Sequence, residues 1–229
     1  MKKSKAGCDL QTCYLCRLSM KEWKPAIGAA KTNIVLKKGE VLFSEDEEVK
    51  GMYFVYDGTI KVHKKWGDDK DLLLRFATKG DIVGHRGIGS GNVYPVSATA
   101  LESSTVCYVD LDFFNASLTC NQHLTQELLK FYAQELYESE KNMRNLAHMP
   151  VKGRLANAFL SLRKKFGETK DGALNIELSR QDLASYTGAT YETVFRILNE
   201  MLNEGLVEID RKKIILKKIE ELEGLTMPE

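Results

Sequence analysis

Two groups of residues in this chain have types and spacings that could do chemistry. The first is Cys8-x4-Cys13-x2-Cys16, which places three of the five cysteines within nine positions. Thiolates gathered on a short loop suit zinc or an iron–sulfur cluster, and either needs a fourth ligand. A thiol switch or inert thiols fit the same spacing. The second group is Glu192-x3-Arg196. Arginine can donate two parallel hydrogen bonds to guanine O6 and N7, and glutamate can accept from cytosine N4. Four residues apart on a helix, the two could read both halves of one G·C pair. They could equally form a solvated ion pair along the helix surface.

The surrounding residues favour the first of these readings. Ser179 stands at a helix N-cap with Asp182 three positions on, a capping-box variant. Thr187-Gly188 punctuates the run and Thr190 caps a second helix, on which Val194, Ile197, Leu198, Met201 and Leu202 share one face. Glu192, Phe195, Arg196, Asn199 and Asn203 share the other. Two helices so joined predict a helix-turn-helix whose second helix enters the DNA major groove. Residues 206–210 and 213–217 alternate like strands about Arg211-Lys212 and complete a winged helix. The candidate contacts to double-stranded DNA are Ser179, Thr190, Tyr191, Glu192, Phe195, Arg196, Asn199, Arg211 and Lys212. Residues 151–218 hold 13 Lys/Arg against 9 Asp/Glu, a mild basic excess. The last eleven residues add four glutamates and read as a solvated tail.

A reader of two half-sites needs a partner, and residues 119–148 offer one. This stretch predicts a long helix on which Leu129, Tyr132, Leu136, Ser139, Met143 and Leu146 recur at alternating threes and fours. The narrow seam predicts a parallel homodimer through Leu129, Tyr132, Leu136, Met143 and Leu146, spanning a palindromic operator. Packing against the chain's own sheet is the blander alternative. Met149-Pro150 ends the helix, and Val151, Leu155, Phe159, Leu162 and Phe166 mark the next one, which stops at Gly167. Before the long helix, residues 33–111 predict short strands at residues 34–36, 41–43, 52–56, 59–63, 72–76, 94–100 and 105–111. That spacing, with Gly-bearing turns, indicates a compact antiparallel barrel or sandwich, and Asp57-Gly58 reads as a hairpin turn.

Composition narrows the class. The chain has 229 residues, 43% hydrophobic and 28% charged, with a formal charge of +1, and is expected to form one or two soluble domains. No run approaches the roughly 18 apolar residues of a membrane span, so no membrane partner is expected. The start resembles a lipoprotein signal ending at Cys8 but lacks an apolar region of about 7–15 residues. A cytoplasmic location is therefore expected. An odd number of cysteines argues against a disulfide framework. The histidines His63, His85, His123 and His148 are scattered with no H-x-H pair, which argues against a metal oxygenase on a β-barrel. No nucleophile–base pair, metal triad or phosphate loop emerges, so the chain reads as a non-enzyme.

Asp57-Gly-Thr-Ile-Lys61, Gly80-Asp-Ile-Val-Gly84 and Glu192-x3-Arg196 together resemble the Crp/Fnr family of bacterial transcription regulators. Within it, Ile88-Gly-Ser-Gly91 and Ala100-Leu-Glu-Ser-Ser-Thr-Val-Cys107 are most similar to the Fnr-like, oxygen-sensing branch. The resemblance covers about residues 31–218. It implies an α+β chain with an N-terminal antiparallel β-roll of the cyclic-nucleotide-binding kind, a long dimerisation helix and a C-terminal winged helix-turn-helix. The corresponding division is 1–30 for the Cys-containing segment, 31–118 for the roll, 119–148 for the dimerisation helix and 149–229 for the DNA-binding domain. RNA polymerase joins DNA and a second copy as an implied partner.

The family's cyclic-nucleotide binders hold the phosphate with a Glu after the roll's glycine and an Arg-Ser or Arg-Thr pair. Here His85 and Val96-Ser97 stand in those places, so the resemblance does not extend to cyclic AMP binding; Arg75 and Arg86 are the basic residues that could substitute. Cys107 matches the roll ligand of the Fnr-like iron–sulfur cluster, giving Cys8, Cys13, Cys16 and Cys107 as the implied set. The spacing of the first three differs from the family's C-x2-C-x5-C. Cys120 is the spare, expected as a packed thiol. The operator core is expected to be TGA-like. Phe195 replaces the serine or glycine of relatives and leaves the neighbouring base open. A same-fold regulator gated by a small ligand in the roll, with inert cysteines, is the first competing reading; a module whose helix-turn-helix binds protein is the second.

Overall fold

The structure is a computed structural model that describes residues 2–4, 10–67, 70–89 and 91–227. It divides into two compact units, Met1–Glu135 and Leu136–Glu229. In the first, strands β1 (Lys2–Ser4), β2 (Thr32–Leu36), β3 (Val41–Phe43), β4 (Gly51–Asp57), β5 (Ile60–Trp66), β6 (Lys70–Ala77), β7 (Ile82–Val83), β8 (Ser97–Ala100) and β9 (Ser104–Asp110) form two antiparallel sheets. Their orders are β1-β2-β9-β4-β7 and β3-β8-β5-β6. The two sheets make the expected β-roll. Residues of its strands, among them Leu36, Met52, Phe54, Ile60, Val106 and Val109, are buried in one core.

The topology corrects one turn. Asp57-Gly58 does not close a hairpin, because β4 pairs with β9 and β7 while β5 pairs with β6 and β8. Gly58 takes a φ of +84°, and a Cβ there would lie 2.4 Å from Ser104 Oγ. The glycine is needed because the chain crosses between sheets against Ser103-Ser104, where the Thr59 amide donates to Ser104 Oγ (3.2 Å).

From Cys13 on, the cysteine-bearing segment is helical and not a loop. Helix α1 (Tyr14–Leu18), with Cys13 at its N-cap and Cys16 inside it, and helix α2 (Lys24–Ala30) bury Leu15, Cys16, Leu18 and Ile27. The apolar residues between the cysteines make this a packed segment. Its anchors are polar: the Tyr14 amide donates to the Gly80 carbonyl (3.0 Å), Met20 N–H to Asn121 Oδ1 (2.8 Å) and Trp23 Nε1 to Ser117 Oγ (2.9 Å).

The long helix begins later than 119. Asp110 caps α3 (Leu111–Cys120), accepting from the Phe113 amide, and Asn121 interrupts it before α4 (Gln122–His148). Buried Asn121 donates from Nδ2 to the Ser117 carbonyl (2.8 Å), which ends α3 locally. The division between the two units falls within α4. In the second unit, α5 (Val151–Phe166), α6 (Arg180–Thr187) and α7 (Tyr191–Asn203) precede the hairpin β10 (Val207–Asp210) and β11 (Lys213–Leu216). The final stretch is a helix and not a solvated tail: α8 (Ile219–Gly224) packs on α5 through fully buried Leu222 while Glu220, Glu221 and Glu223 face out. Three glutamates hid an i, i+3 apolar pair, Ile219 and Leu222.

Candidate nucleic-acid interface and the roll beside the long helix

Helix α6 starts as its sequence dictates. The Asp182 amide donates to Ser179 Oγ (3.0 Å), and the Ser179 amide donates back to Asp182 Oδ2 (3.3 Å), closing the capping box. Gly188 ends α6 in the left-handed region (φ 63°, ψ 42°), which lets the chain turn into α7 without a Cβ clash. Thr190 caps α7 by accepting from the Thr193 amide (3.2 Å). Val194, Ile197, Leu198 and Met201 are buried, and Tyr191, Glu192, Phe195 and Arg196 are exposed, with Asn199 half-buried beside them. The amphipathic reading of α7 holds residue by residue, save that Leu202 is only half-buried.

The exposed edge has an internal order that the sequence did not suggest. Tyr191 and Phe195 stack with their ring planes 9° apart, and the Arg180 guanidinium lies 4.8 Å over the Phe195 ring. Arg196 pairs with Glu200, one turn onward, instead of with Glu192. Both members are exposed, so the pair is a weak surface contact. Ser179 and Thr190 spend their hydroxyls on caps. In the wing, Asp210 faces Lys213 across a two-residue turn, and Arg211 takes a φ of 57°. Arg211 and Lys212 are exposed at that tip. Lys213 pairs with Asp171 (3.1 Å) and Lys217 with Glu208 (2.8 Å), which leaves the tip pair as the wing's outward charge.

On α4, Leu129, Leu136, Met143 and Leu146 are exposed by 65%, 60%, 58% and 39%. Tyr132 departs from this row. Its hydroxyl donates to the His85 carbonyl and its ring meets the His85 ring edge-on at 5.4 Å, so it also contacts the roll. Leu124, Leu128 and Phe131 define a second, inward face of α4, which the heptad spacing does not report.

That inward face ends in a charged cluster missed by the sequence reading. Arg75 donates from Nη1 to Glu135 Oε1 (2.9 Å) and also to the Ile82 carbonyl. Arg86 donates to Glu135 Oε2 from Nε (3.0 Å) and Nη2 (2.6 Å), and His85 Nε2 lies 3.4 Å from the same oxygen. Burial alone would raise the Glu135 pKa, but His85, Arg75 and Arg86 together hold it well below the usual carboxylate range. His85 lies below its ordinary value, chiefly by burial, so a neutral imidazole donates through Nε2. Burial and the Glu135 charge push the Tyr132 phenol up to about 12. The signal was present in the sequence: Glu135 continues the spacing 124, 128, 131 and 135, a carboxylate on an apolar stripe. Arg75 and Arg86, weighed there as phosphate holders, are therefore already engaged.

Cys13, Cys16 and Cys107 are buried in one contiguous core, Cys107 sitting opposite Asn33 and Phe54 in its sheet. Cys8 lies outside the described residues. Among the described residues no three His, Cys, Asp or Glu are grouped to hold a metal ion. The described thiols thus do not by themselves assemble a ligand set for zinc or an iron–sulfur cluster. Cys120 is exposed at the end of α3, not packed, because Phe114 and Ser117 take the helix's inner face.

Residues 33–119 match the family described as cyclic nucleotide-binding domain, and residues 153–225 the one described as Crp-like helix-turn-helix domain. The chain is 34% identical over 187 residues to the anaerobic regulatory protein of Bacillus subtilis, covering 80% of this chain and 79% of that protein. The chain belongs to the Crp/Fnr family of transcription regulators. A second relative in the family is the CRP-like cAMP-activated global transcriptional regulator of Mycobacterium tuberculosis, 25% identical with 81% and 84% of the two chains covered. The structure of FixK2 from Bradyrhizobium japonicum shares the fold, with a TM-score of 0.77 at 24% identity over 87% of this chain and 98% of that one. Crp/Fnr proteins are DNA-binding transcription regulators and not enzymes. Among the described residues no helix is long and apolar enough to cross a membrane.

Proposed function

We propose that this Crp/Fnr chain acts as a homodimer that reads a palindromic operator through α7 and reports a redox or gaseous signal to RNA polymerase. The observation that carries the DNA reading is the solvent-facing edge of α7, where Tyr191, Glu192, Phe195 and Arg196 stand free of the core above the buried Val194-Ile197-Met201 stripe. Arg196 takes guanine and Glu192 its paired cytosine, each releasing at most a surface contact to do so. Phe195 offers a ring edge to a thymine methyl beside that pair. Ser179, Thr190 and Asn199 flank the groove, and Arg211 and Lys212 hold phosphate. Two such helices on a symmetric dimer read inverted half-sites about 34 Å apart.

In this reading residues 1–30 and 31–118 sense, 119–148 dimerise and 149–229 bind DNA. The exposed row of Leu129, Leu136, Met143 and Leu146 supports the dimer, since a second copy presents the same row to it. The similarity to a protein named as an anaerobic regulator, and the burial of Cys107 in one core with Cys13 and Cys16, support the sensing role. An iron–sulfur cluster on Cys8, Cys13, Cys16 and Cys107 is the form of sensor we favour, and it requires a ligand set that the described residues do not assemble. Cyclic AMP is not the signal, because His85 and Val96 replace the phosphate holders and Arg75 and Arg86 are committed to Glu135.

Selection of binding sites from random DNA with wild type and Arg196→Ala tests the reading. The variant should lose about 1–3 kcal/mol and relax discrimination at one G·C pair per half-site. Equal strictness from both proteins removes Arg196 as the reader. Iron and acid-labile sulfide analysis of anaerobically purified protein tests the sensor, with iron-free protein that binds DNA equally well in air excluding it. Calorimetry with cyclic AMP at millimolar concentration should detect no tight binding.

A further inference from the structure

Two guanidiniums and one imidazole of the roll converge on the single Glu135 carboxylate. Oε2 takes the Arg86 and His85 contacts while Oε1 takes only Arg75. Arg75 Nε and His85 Nδ1 are buried with no hydrogen-bond partner, and the His85 side chain is 3% exposed. Unsatisfied polar atoms at such depth are costly, and they are kept where a site serves something beyond packing. The three basic groups come from different places in the roll, Arg75 on β6 and His85 and Arg86 on the turn of 3-10 helix His85–Gly89. The carboxylate comes from α4.

We propose that Arg75, Arg86 and His85 form an oxyanion site whose resident ligand is Glu135, so that the roll and α4 are joined by an internal carboxylate in place of a diffusible anion. Planar guanidiniums converging on two carboxylate oxygens are the arrangement that recognises carboxylate or phosphate of any origin. Tyr132 supports the site by tying the His85 carbonyl to α4 one turn before Glu135. Glu135 is here a ligand and a positioning residue, and removing its side chain vacates a site that a small free carboxylate can fill.

Chemical rescue in the full chain tests this. Glu135→Ala should unfold several degrees below wild type, and sodium formate should raise its Tm saturably, as a ligand that binds only the folded state does. Sodium chloride at matched ionic strength should not, wild type should show no formate-specific rise, and Glu135→Ala/Arg86→Gln should lose the response. Formate shifts of equal size in wild type and Glu135→Ala, or rescue that survives loss of Arg86, would overturn the proposal. Glu135→Gln keeps the shape and removes the charge, so it decides the matter even where the alanine variant fails to fold. The proposal requires it to lose several degrees; a glutamine variant as stable as wild type overturns it.

Discussion

The chain contains two Arg–Glu contacts of similar form in opposite surroundings. Arg75 of the roll and Glu135 of α4 have side chains 15% and 16% exposed, while Arg196 and Glu200 lie on α7 at 64% and 41%. In water the second pair gains little and can exchange for a base edge at small cost. The first has lost its hydration and depends on its partners for compensation. The same chemistry therefore gives internal cohesion in the first unit and, in the proposed reading, stays available for recognition in the second, and burial decides which.

One substitution made at both sites breaks or sharpens that contrast. Arg75→Met leaves Glu135 buried with part of its compensation gone, and unfolding of the roll by urea should show a loss of roughly 3–5 kcal/mol. Arg196→Met should change stability by less than about 0.5 kcal/mol, while operator affinity falls by about 1–3 kcal/mol. Equal stability losses at the two sites would mean that the Arg75–Glu135 contact is no more than a surface pair.

A smaller effect comes from pH and acts on the roll alone. The His85 pKa is lowered by burial, with Glu135 pulling it up and Arg75 and Arg86 pushing it down, and the His63 pKa is lowered by burial against the pull of Asp71. Below about pH 6.5 the unfolded chain binds protons that these folded imidazoles do not, so stability falls as pH drops from there toward the lowered folded values. Glu135 adds a second loss as pH falls below about 4.3 toward its own lowered folded value, because its stabilisation is fully present only above the unfolded pKa. Urea titrations across pH should show this slope, and His85→Asn should make the upper limb shallower. A stability curve unchanged by His85→Asn would mean that the folded imidazole titrates as it does in the unfolded chain.

The legibility of the two regions differed for a physical reason. The helix-turn-helix is built from local signals: the Ser179 and Thr190 caps, Gly188 at positive φ and the four-residue stripe of α7 all act within one or two turns. Sequence spacing records such interactions directly. The roll is built from pairings between distant strands, so Asp57-Gly58 looked like a hairpin turn although β4 and β5 belong to different sheets. The cluster at Glu135 joins residues 49 to 60 positions apart, and no local pattern reports its partners. Tyr132 also bonds to the roll, a contact that the heptad count does not report because α4 has two apolar faces. Helices α1 and α8 are too short to repeat an apolar period, and their buried leucines stand among cysteines and glutamates that break the pattern.

The smallest effect lies at the wing, where charge and backbone conformation coincide in one residue. Arg211 holds φ at 57°, a region that costs a residue with a Cβ roughly 1–2 kcal/mol. A glycine would turn there without that strain, so the arginine stands there against a local conformational preference. Phosphate contact supplies a reason, because a tip residue facing outward can neutralise one backbone charge. Arg211→Gly and Arg211→Ala separate the two properties. Both should weaken binding to every DNA sequence alike and shallow the salt dependence of log K by about one unit. Only Arg211→Gly should also leave the wing as stable as wild type or slightly more so, measured by hydrogen exchange of the β10 and β11 amides. A glycine variant that keeps the full salt slope would show that Arg211 is not a phosphate contact, and Lys212 would then be the tip residue that carries it.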